Sequence, residues 1–250
     1  MKLPGIFEDI AAAFQFLTRL PLAWVTYSPS ALSRAARFFP VVGLAIGSSA
    51  AALHRWLLPH LPVGIVAFLI VLFSVLITGG LHEDGIADVA DAFGGGWHRE
   101  QILEILKDSR IGSYGALAIV FSFAGRVILL TFLPANVFAA YVISAHVLCR
   151  WTILPLGSLL PAARKQEGQG AQLARQISGV SVFVGTFIAF GIAAYLLRLA
   201  IWGPLVSILA VTLLSGFHYQ RRIGGITGDC FGATIQLAEI AVYLCGVWHG

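Results

Sequence analysis

Charge is scarce in this chain. Asp, Glu, Lys and Arg make up 11% of its 250 residues, whereas soluble domains hold about 25%. That excludes an ordinary water-soluble globule. Cysteine is scarce too. Cys149, Cys230 and Cys245 show no paired spacing and two of them fall in apolar segments, so neither a disulfide framework nor a zinc site is expected. A cleavable signal peptide is not evident. The first apolar stretch, 10–25, is interrupted by Gln15, Arg19 and Pro21, and no small-residue cleavage site follows it. No polar stretch is left over for a separate soluble domain. The net charge of +4 calls for no nucleic acid, because basic residues accumulate on the cytoplasmic loops of membrane proteins.

Apolar residues are abundant instead: 58% are hydrophobic and the mean hydropathy is +0.86. The expected fold is all-α, a polytopic membrane helical bundle forming a single integral membrane domain over 1–250, with the lipid bilayer as its surroundings. Seven apolar runs approach the roughly 20 residues that a span needs. They cover 38–57, 63–81, 114–133, 137–160, 180–199, 203–217 and 232–247, the sixth being short. Turns are expected at Pro134-Ala135-Asn136 and at Trp202-Gly203-Pro204. The run before Pro21 reads as an interfacial or re-entrant helix.

With the N-terminus inside, Lys2, Arg19, Arg34, Arg37, Arg99, Lys107, Arg110, Arg164, Lys165, Arg175, Arg221 and Arg222 all fall on the inner side. Only Arg55 and Arg198 lie at outer ends of spans, and Arg126 and Arg150 lie within them. This asymmetry orients seven spans with N inside and C outside. The 12 acidic residues then all fall on, or nearer to, that same cytoplasmic side, most of them in an acidic loop over 81–113.

Within that loop, Asp84, Asp88 and Asp91 are spaced i, i+4, i+7, which places three carboxylates on one face of a helix. Gly94-Gly95-Gly96 then stops the helix. Like charges on one face repel unless a cation compensates, and hard divalent ions such as Mg²⁺ take carboxylate oxygens together with phosphates and water. A solvated acidic face is the plainer alternative. The 107–115 segment, with Lys107, Ser109 and Arg110, puts cations beside hydroxyls as phosphate binding requires, although membrane anchoring also explains basic residues here. Arg19 carries the same two readings. In the last connection, Gly224-Gly225-Ile226-Thr227-Gly228-Asp229, glycines permit close backbone approach and Asp229 offers a metal ligand or a base. Ile77-Thr78-Gly79 before the acidic loop echoes Ile226-Thr227-Gly228 before Asp229, which suggests that the two loops face one another. Glu239 lies about 10 Å into the last span, and pairing with Arg126 or Arg150 is expected. His146 reads as a packed polar residue.

Five segments together resemble the cobalamin synthase family, in the family's order and nearly end to end: Phe16-Leu17-Thr18-Arg19-Leu20-Pro21; Arg37-Phe38-Phe39-Pro40-Val41-Val42-Gly43; Thr78-Gly79-Gly80-Leu81-His82-Glu83-Asp84-Gly85-Ile86-Ala87-Asp88; Lys107-Asp108-Ser109-Arg110-Ile111-Gly112-Ser113-Tyr114-Gly115; and Thr227-Gly228-Asp229 with Gly232-Ala233-Thr234 and Glu239. Position 83 departs from the pattern, since an apolar residue is expected there, and Glu83 is therefore a poor candidate ligand. The resemblance implies a Mg²⁺-dependent transferase of the bacterial cytoplasmic (inner) membrane with its active site facing the cytoplasm. Its reaction would join adenosylcobinamide-GDP to the 3′-hydroxyl of α-ribazole, or of its 5′-phosphate, and release GMP. Asp84, Asp88 and Asp91 would then hold metal. Arg19, Lys107, Ser109, Arg110 and Thr227 would bind substrate. Asp229 or Asp91 would take the hydroxyl proton, and His82 would donate a hydrogen bond. Oligomeric state stays open, a homo-oligomer included.

Two other readings compete. A CDP-alcohol phosphotransferase also uses an Asp-Gly-led acidic motif, but places Ala-Arg where this chain has Asp88 and Val89. A secondary transporter would gather its charges near the bilayer midplane and pair broken helices in two halves, and no half-to-half repeat is present.

Overall fold

The computed structural model describes residues 5–22, 31–164, 173–174 and 177–249. Lys2, Lys165 and Arg175 lie outside them. The described residues are helical, apart from loops and one parallel bridge between Ala162 and Ile226.

Helix α1 (Gly5–Leu17) is 13 residues long, about 20 Å, and too short to cross a bilayer. It buries Asp9, whose carboxylate accepts hydrogen bonds from Arg34 and Arg37 at 3.2 and 2.6 Å. These bonds dock α1 onto α2 (Ala31–Ala35) and the 3₁₀ turn that follows. Helix α3 (Phe39–Leu57) starts with Pro40 in its first turn, where the missing N–H costs nothing. It packs closely on α8 (Phe138–Trp151): a side chain on Gly43 would collide with the His146 carbonyl, the small-residue contact typical of membrane bundles.

The run over 63–81 does not continue straight to Leu81. Helix α4 (Val63–Thr78) ends before it, Gly79 and Gly80 take left-handed φ values of 68° and 72°, and the chain turns by 89° into α5 (Leu81–Gly95). Four carboxylates in α5 make it unfit to span. A short α6 (Arg99–Ile105) and a loop lead to α7 (Ser113–Phe132). The turn expected at Pro134 is present, with the Val137 amide donating to the Pro134 carbonyl at 3.1 Å. The next run is broken in two, α8 and α9 (Ile153–Leu159). Pro155 causes the break, because its ring would meet the Trp151 carbonyl in a continuous helix.

Helices α10 (Gly179–Leu197) and α11 (Trp202–Ile223) form one apolar stretch of 45 residues, more than twice the length a span needs. A Cβ on Gly185 would collide with Leu154, and one on Gly216 would lie 3.0 Å from Leu156. A straight helix would hold those glycines about 46 Å apart, so the stretch doubles back. The reversal falls earlier than expected, over Arg198–Ile201, with Arg198 at φ 52°. Trp202-Gly203-Pro204 instead opens α11, since proline is tolerated in a first turn. Helix α12 (Gly228–His249) closes the bundle. Among the described residues, five stretches are long and apolar enough to cross a membrane, and the bent α4–α5 pair together makes a sixth candidate. Each of the seven apolar runs corresponds to helix.

The outer faces carry Phe121, Phe183, Phe187, Leu213 and Phe217, all at least 66% exposed, as suits contact with lipid. The intramembrane charges point inward. Arg126, Arg150 and Glu239 are 1%, 2% and 4% exposed. Of the two partners expected for Glu239, Arg126 is the one in place, at 3.8 Å. Arg126 binds Glu83 more closely, at 2.8 Å. The Gln236 amide also donates to Glu83, at 2.9 Å, and Ser122 donates to Gln236 at 2.6 Å. Glu83, set aside as a ligand, thus ties α5 to α7 and α12.

Candidate active site

The C-terminal ends of α4, α9 and α11 and the N-terminal ends of α7 and α12 meet at one end of the bundle. Long basic side chains tie their backbones together there. Arg99 donates to the carbonyls of Ile223 and Ala163, both at 2.8 Å. Arg222 donates to Gly96 at 2.8 Å and Arg164 to Leu103 at 3.0 Å. Charge-assisted bonds of this kind satisfy helix-end and loop carbonyls that otherwise lack partners.

Helix α5 lies across this end and holds Asp84, Asp88 and Asp91 as the spacing predicts. Its other side packs on the start of α12 at a crossing of two glycines. A Cβ on Gly85 would stand 2.8 Å from the Asp229 carbonyl oxygen and 3.1 Å from the Gly232 Cα. That approach brings Asp229 up to the α5 carboxylates, so the acidic segment and the last connection face one another. The loop before α12 is pinned as a short bridge: Ile226 donates to Pro161 at 2.8 Å, and Ala163 donates to Ile226 at 2.9 Å. Any side chain on Gly225 would strike the Pro161 carbonyl. Buried Thr227 donates to the Asp229 carboxylate at 3.2 Å and so orients it.

The aspartates divide by role. Asp88 is half-buried. Burial, and then the charges of Asp84, Asp229 and Asp91, push its carboxyl up to about 7, with only Arg164 opposing. Among the described residues neither Asp84 nor Asp88 has a side-chain hydrogen bond or ion pair. Asp91 is different. Its two oxygens accept the backbone N–H groups of Gly112 and Gly115 at 2.7 and 2.8 Å, so it anchors the N-terminus of α7, where a negative charge is favoured. A Cβ at either glycine would collide with that carboxylate.

The remaining sequence candidates are placed as follows. Arg19 is exposed and its side chain lies against Gly79 at the α4–α5 bend, where any Cβ would clash with it; its amide donates to Ile77 at 2.8 Å. Lys107 and Ser109 are exposed on the loop before α7. Arg110 shares that loop, and its guanidinium grips Asp108 through Nε and Nη2 at 2.6–3.0 Å. These bonds pull the Asp108 carboxyl down to about 2. The loop and the end of α5 enclose an open groove of about 450 Å³, lined by Asp91, Gly95, Ile105, Asp108, Arg110, Ile111, Gly112, Ser113 and Tyr114. His82, expected as a donor at the carboxylates, is 3% exposed and lies among Arg150, Glu83, Glu239 and Arg126. It stands two residues from Asp84, nearly opposite on the helix, and so turns inward. In the sequence Arg164 reads only as one of the basic residues of the inner side. It is nevertheless the cation that acts on both Asp88 and Asp229.

The donor set at Asp84, Asp88 and Asp229 suits a hard cation: oxygen-only, like-charged and only partly offset by Arg164. It is not a closed cage. Only His146, Cys149 and Glu239, among the described residues, bring three potential ligand atoms within 4.8 Å of one another. That inner cluster is already balanced by Arg126 and Arg150, and the Arg150 guanidinium lies 3.2 Å from the His146 ring nitrogen and 3.5 Å from the Cys149 sulfur. A divalent ion there would meet a guanidinium. At the aspartates, an ion would complete its shell with phosphate oxygens and water, as Mg²⁺ commonly does.

The chain matches the family described as cobalamin-5-phosphate synthase over residues 9–247. An adenosylcobinamide-GDP ribazoletransferase of Azorhizobium caulinodans is 41% identical to it, covering 99% of this chain and 97% of its relative. One from a Polaromonas species is 39% identical over 95% of each chain. One from Leptospira interrogans is 35% identical over 97% and 96%. No solved structure matches. With the acidic helix, the glycine crossing and the pinned Thr227–Asp229 turn all inside the matched range, the chain belongs to the cobalamin-5-phosphate synthase family.

Proposed function

We propose that this protein transfers the cobinamide-phosphate moiety of adenosylcobinamide-GDP to the 3′-hydroxyl of α-ribazole, or of α-ribazole 5′-phosphate. The hydroxyl oxygen bonds to the phosphorus next to the cobinamide arm, the bridging P–O bond breaks, and GMP leaves. The observation that carries this reading is the meeting of Asp84, Asp88 and Asp229 at one end of a membrane bundle, three carboxylates against the one charge of Arg164. Such a site calls for a cation and a polyphosphate together.

Phosphoryl transfer needs positioning and charge neutralisation more than a covalent nucleophile. Bound Mg²⁺ would neutralise diphosphate oxygens as the bridge breaks. Asp84 and Asp88 would hold it, with Asp229 from α12 closing the third side. Arg164 stands beside Asp88 and Asp229, where it would meet the diphosphate. Asp229, oriented by Thr227, accepts the proton of the ribazole hydroxyl. Arg19 at the α4–α5 bend and the Lys107–Arg110 loop flank the row of carboxylates from its two ends. Asp91 contributes by fixing the start of α7 against α5. The enzyme resides in the bacterial cytoplasmic membrane with this end facing the cytoplasm, where both polar substrates are found.

The test is direct. Purified protein in lipid, given adenosylcobinamide-GDP, α-ribazole and Mg²⁺, forms cobalamin and releases GMP in equal amounts. Absence of both products from folded protein would refute the assignment.

A further inference from the structure

We infer that the groove between the end of α5 and the loop before α7 is the guanine pocket of this site, with Arg110 as the residue that reads the base. The inference rests on the proposed function for the presence of a guanosine diphosphate arm. The groove itself is seen independently. Its volume of about 450 Å³ falls in the range of small-ligand sites and suits one nucleoside. A corrin ring is far too large for it. The aspartate row points toward it: Asp91 lines the groove, about 4.5 Å along the helix from Asp88. A diphosphate held at Asp84 and Asp88 therefore leaves its nucleoside lying over Asp91 and Gly95.

The walls suit guanine better than the base of α-ribazole. Tyr114 is 54% exposed and Ile111 59%, offering an aromatic face and an aliphatic edge for a planar ring. Arg110 spends Nε and Nη2 on Asp108, which fixes the guanidinium plane. Nη1 and one Nη2 proton are left to donate. A fork of donors matches two adjacent acceptors, and guanine presents O6 and N7 in that arrangement. Dimethylbenzimidazole in α-ribazole has one ring acceptor and no carbonyl. Asp108 acts here as a positioning residue. It holds Arg110 and does not itself touch the base.

The chemistry makes a selective prediction. Hypoxanthine keeps O6 and N7, whereas adenine carries an amine in place of O6. Equilibrium dialysis of labelled GMP against the full-length protein in lipid, with IMP, AMP and inorganic pyrophosphate as competitors, reads this directly. IMP should compete comparably to GMP, and AMP more weakly by about 5- to 150-fold, the range of one bidentate contact. Arg110→Gln should weaken GMP and IMP and bring them level with AMP. Asp108→Asn should narrow the same gap. AMP or pyrophosphate competing as well as GMP in the wild type, or no GMP binding at all, would overturn the inference without recourse to any variant. Selective GMP binding with no cobalamin formed would instead sink the proposed reaction and leave the pocket standing. Turnover without purine selectivity would do the reverse.

Discussion

Gly85 and Gly232 meet backbone to backbone where α5 crosses α12. A Cβ on Gly232 would lie 3.3 Å from the Gly85 Cα, and one on Gly85 would press on the Asp229 carbonyl at 2.8 Å. This contact sets the separation between the carboxylates of α5 and Asp229.

Gly85→Ala should therefore damage activity more than Gly232→Ala, although alanine favours the helix by about 1 kcal/mol at either position. Both glycines face backbone, which cannot turn away, but an added Cβ would stand 2.8 Å from its nearest atom at Gly85 and 3.3 Å at Gly232, and displacement of about 1 Å at a site can cost roughly 100-fold in rate. Turnover of the two variants beside their thermal unfolding checks this. Equal activity in both would show that the crossing does not set the site.

Asp88 makes stability depend on pH. Its carboxyl is raised from 3.8 to about 7 in the folded protein, so the group favours folding most when protonated. That contribution is full below about pH 4 and is lost as pH rises through about 7. Without divalent cation, the wild type should unfold at a lower temperature at pH 8 than at pH 5.5. Asp88→Asn should remove much of that difference, unfold higher than the wild type at pH 8, and be inactive. Millimolar Mg²⁺ should stabilise the wild type at pH 8 but not Asp88→Asn, and its affinity should fall below about pH 7, where a proton competes for the same oxygens.

How much of this was legible in the sequence follows from range. The face shared by Asp84, Asp88 and Asp91 is local, fixed by the helical repeat within seven residues, and it is present as read. The expected end of the helix at Gly94–Gly96 is local too, and α5 stops at Gly95. Asp91's partners are not local. Gly112 and Gly115 lie beyond another helix, so nothing near Asp91 marks it as an anchor. Arg164 looked like an ordinary inner-loop cation because its carboxylates come from α5 and α12. His82 was read through its neighbours in sequence, yet two residues along a helix reverse the direction of a side chain. Glu83 breaks the family pattern, and its reason lies in Arg126, across the bundle.

The Glu83–Arg126 pair joins buried charges. Glu83→Ala should destabilise the folded protein by about 3–5 kcal/mol, the usual cost of stranding a buried partner. Replacing both, Glu83→Leu with Arg126→Leu, should recover part of that loss. The exchange Glu239→Arg with Arg150→Glu should give no rescue, because Arg126 is the arginine that Glu239 faces. Unfolding in detergent across the set tests this, and additive losses in the double variant would contradict a direct pairing.

Arg164→Ala should lower turnover by about 100-fold or more, as loss of one preorganised charge at a phosphoryl site does. Arg164→Lys should restore only part of it, since lysine lacks the fork that reaches both Leu103 and the diphosphate. Wild-type turnover in Arg164→Ala would remove this residue from the site.

The account turns on Asp84 and Asp88 serving the transfer. The most direct measurement is GMP release from adenosylcobinamide-GDP and α-ribazole by wild type, Asp84→Ala and Asp88→Ala in lipid with Mg²⁺, alongside a check of membrane insertion. Both variants should insert normally and lose turnover by orders of magnitude. Wild-type rates in both would contradict it.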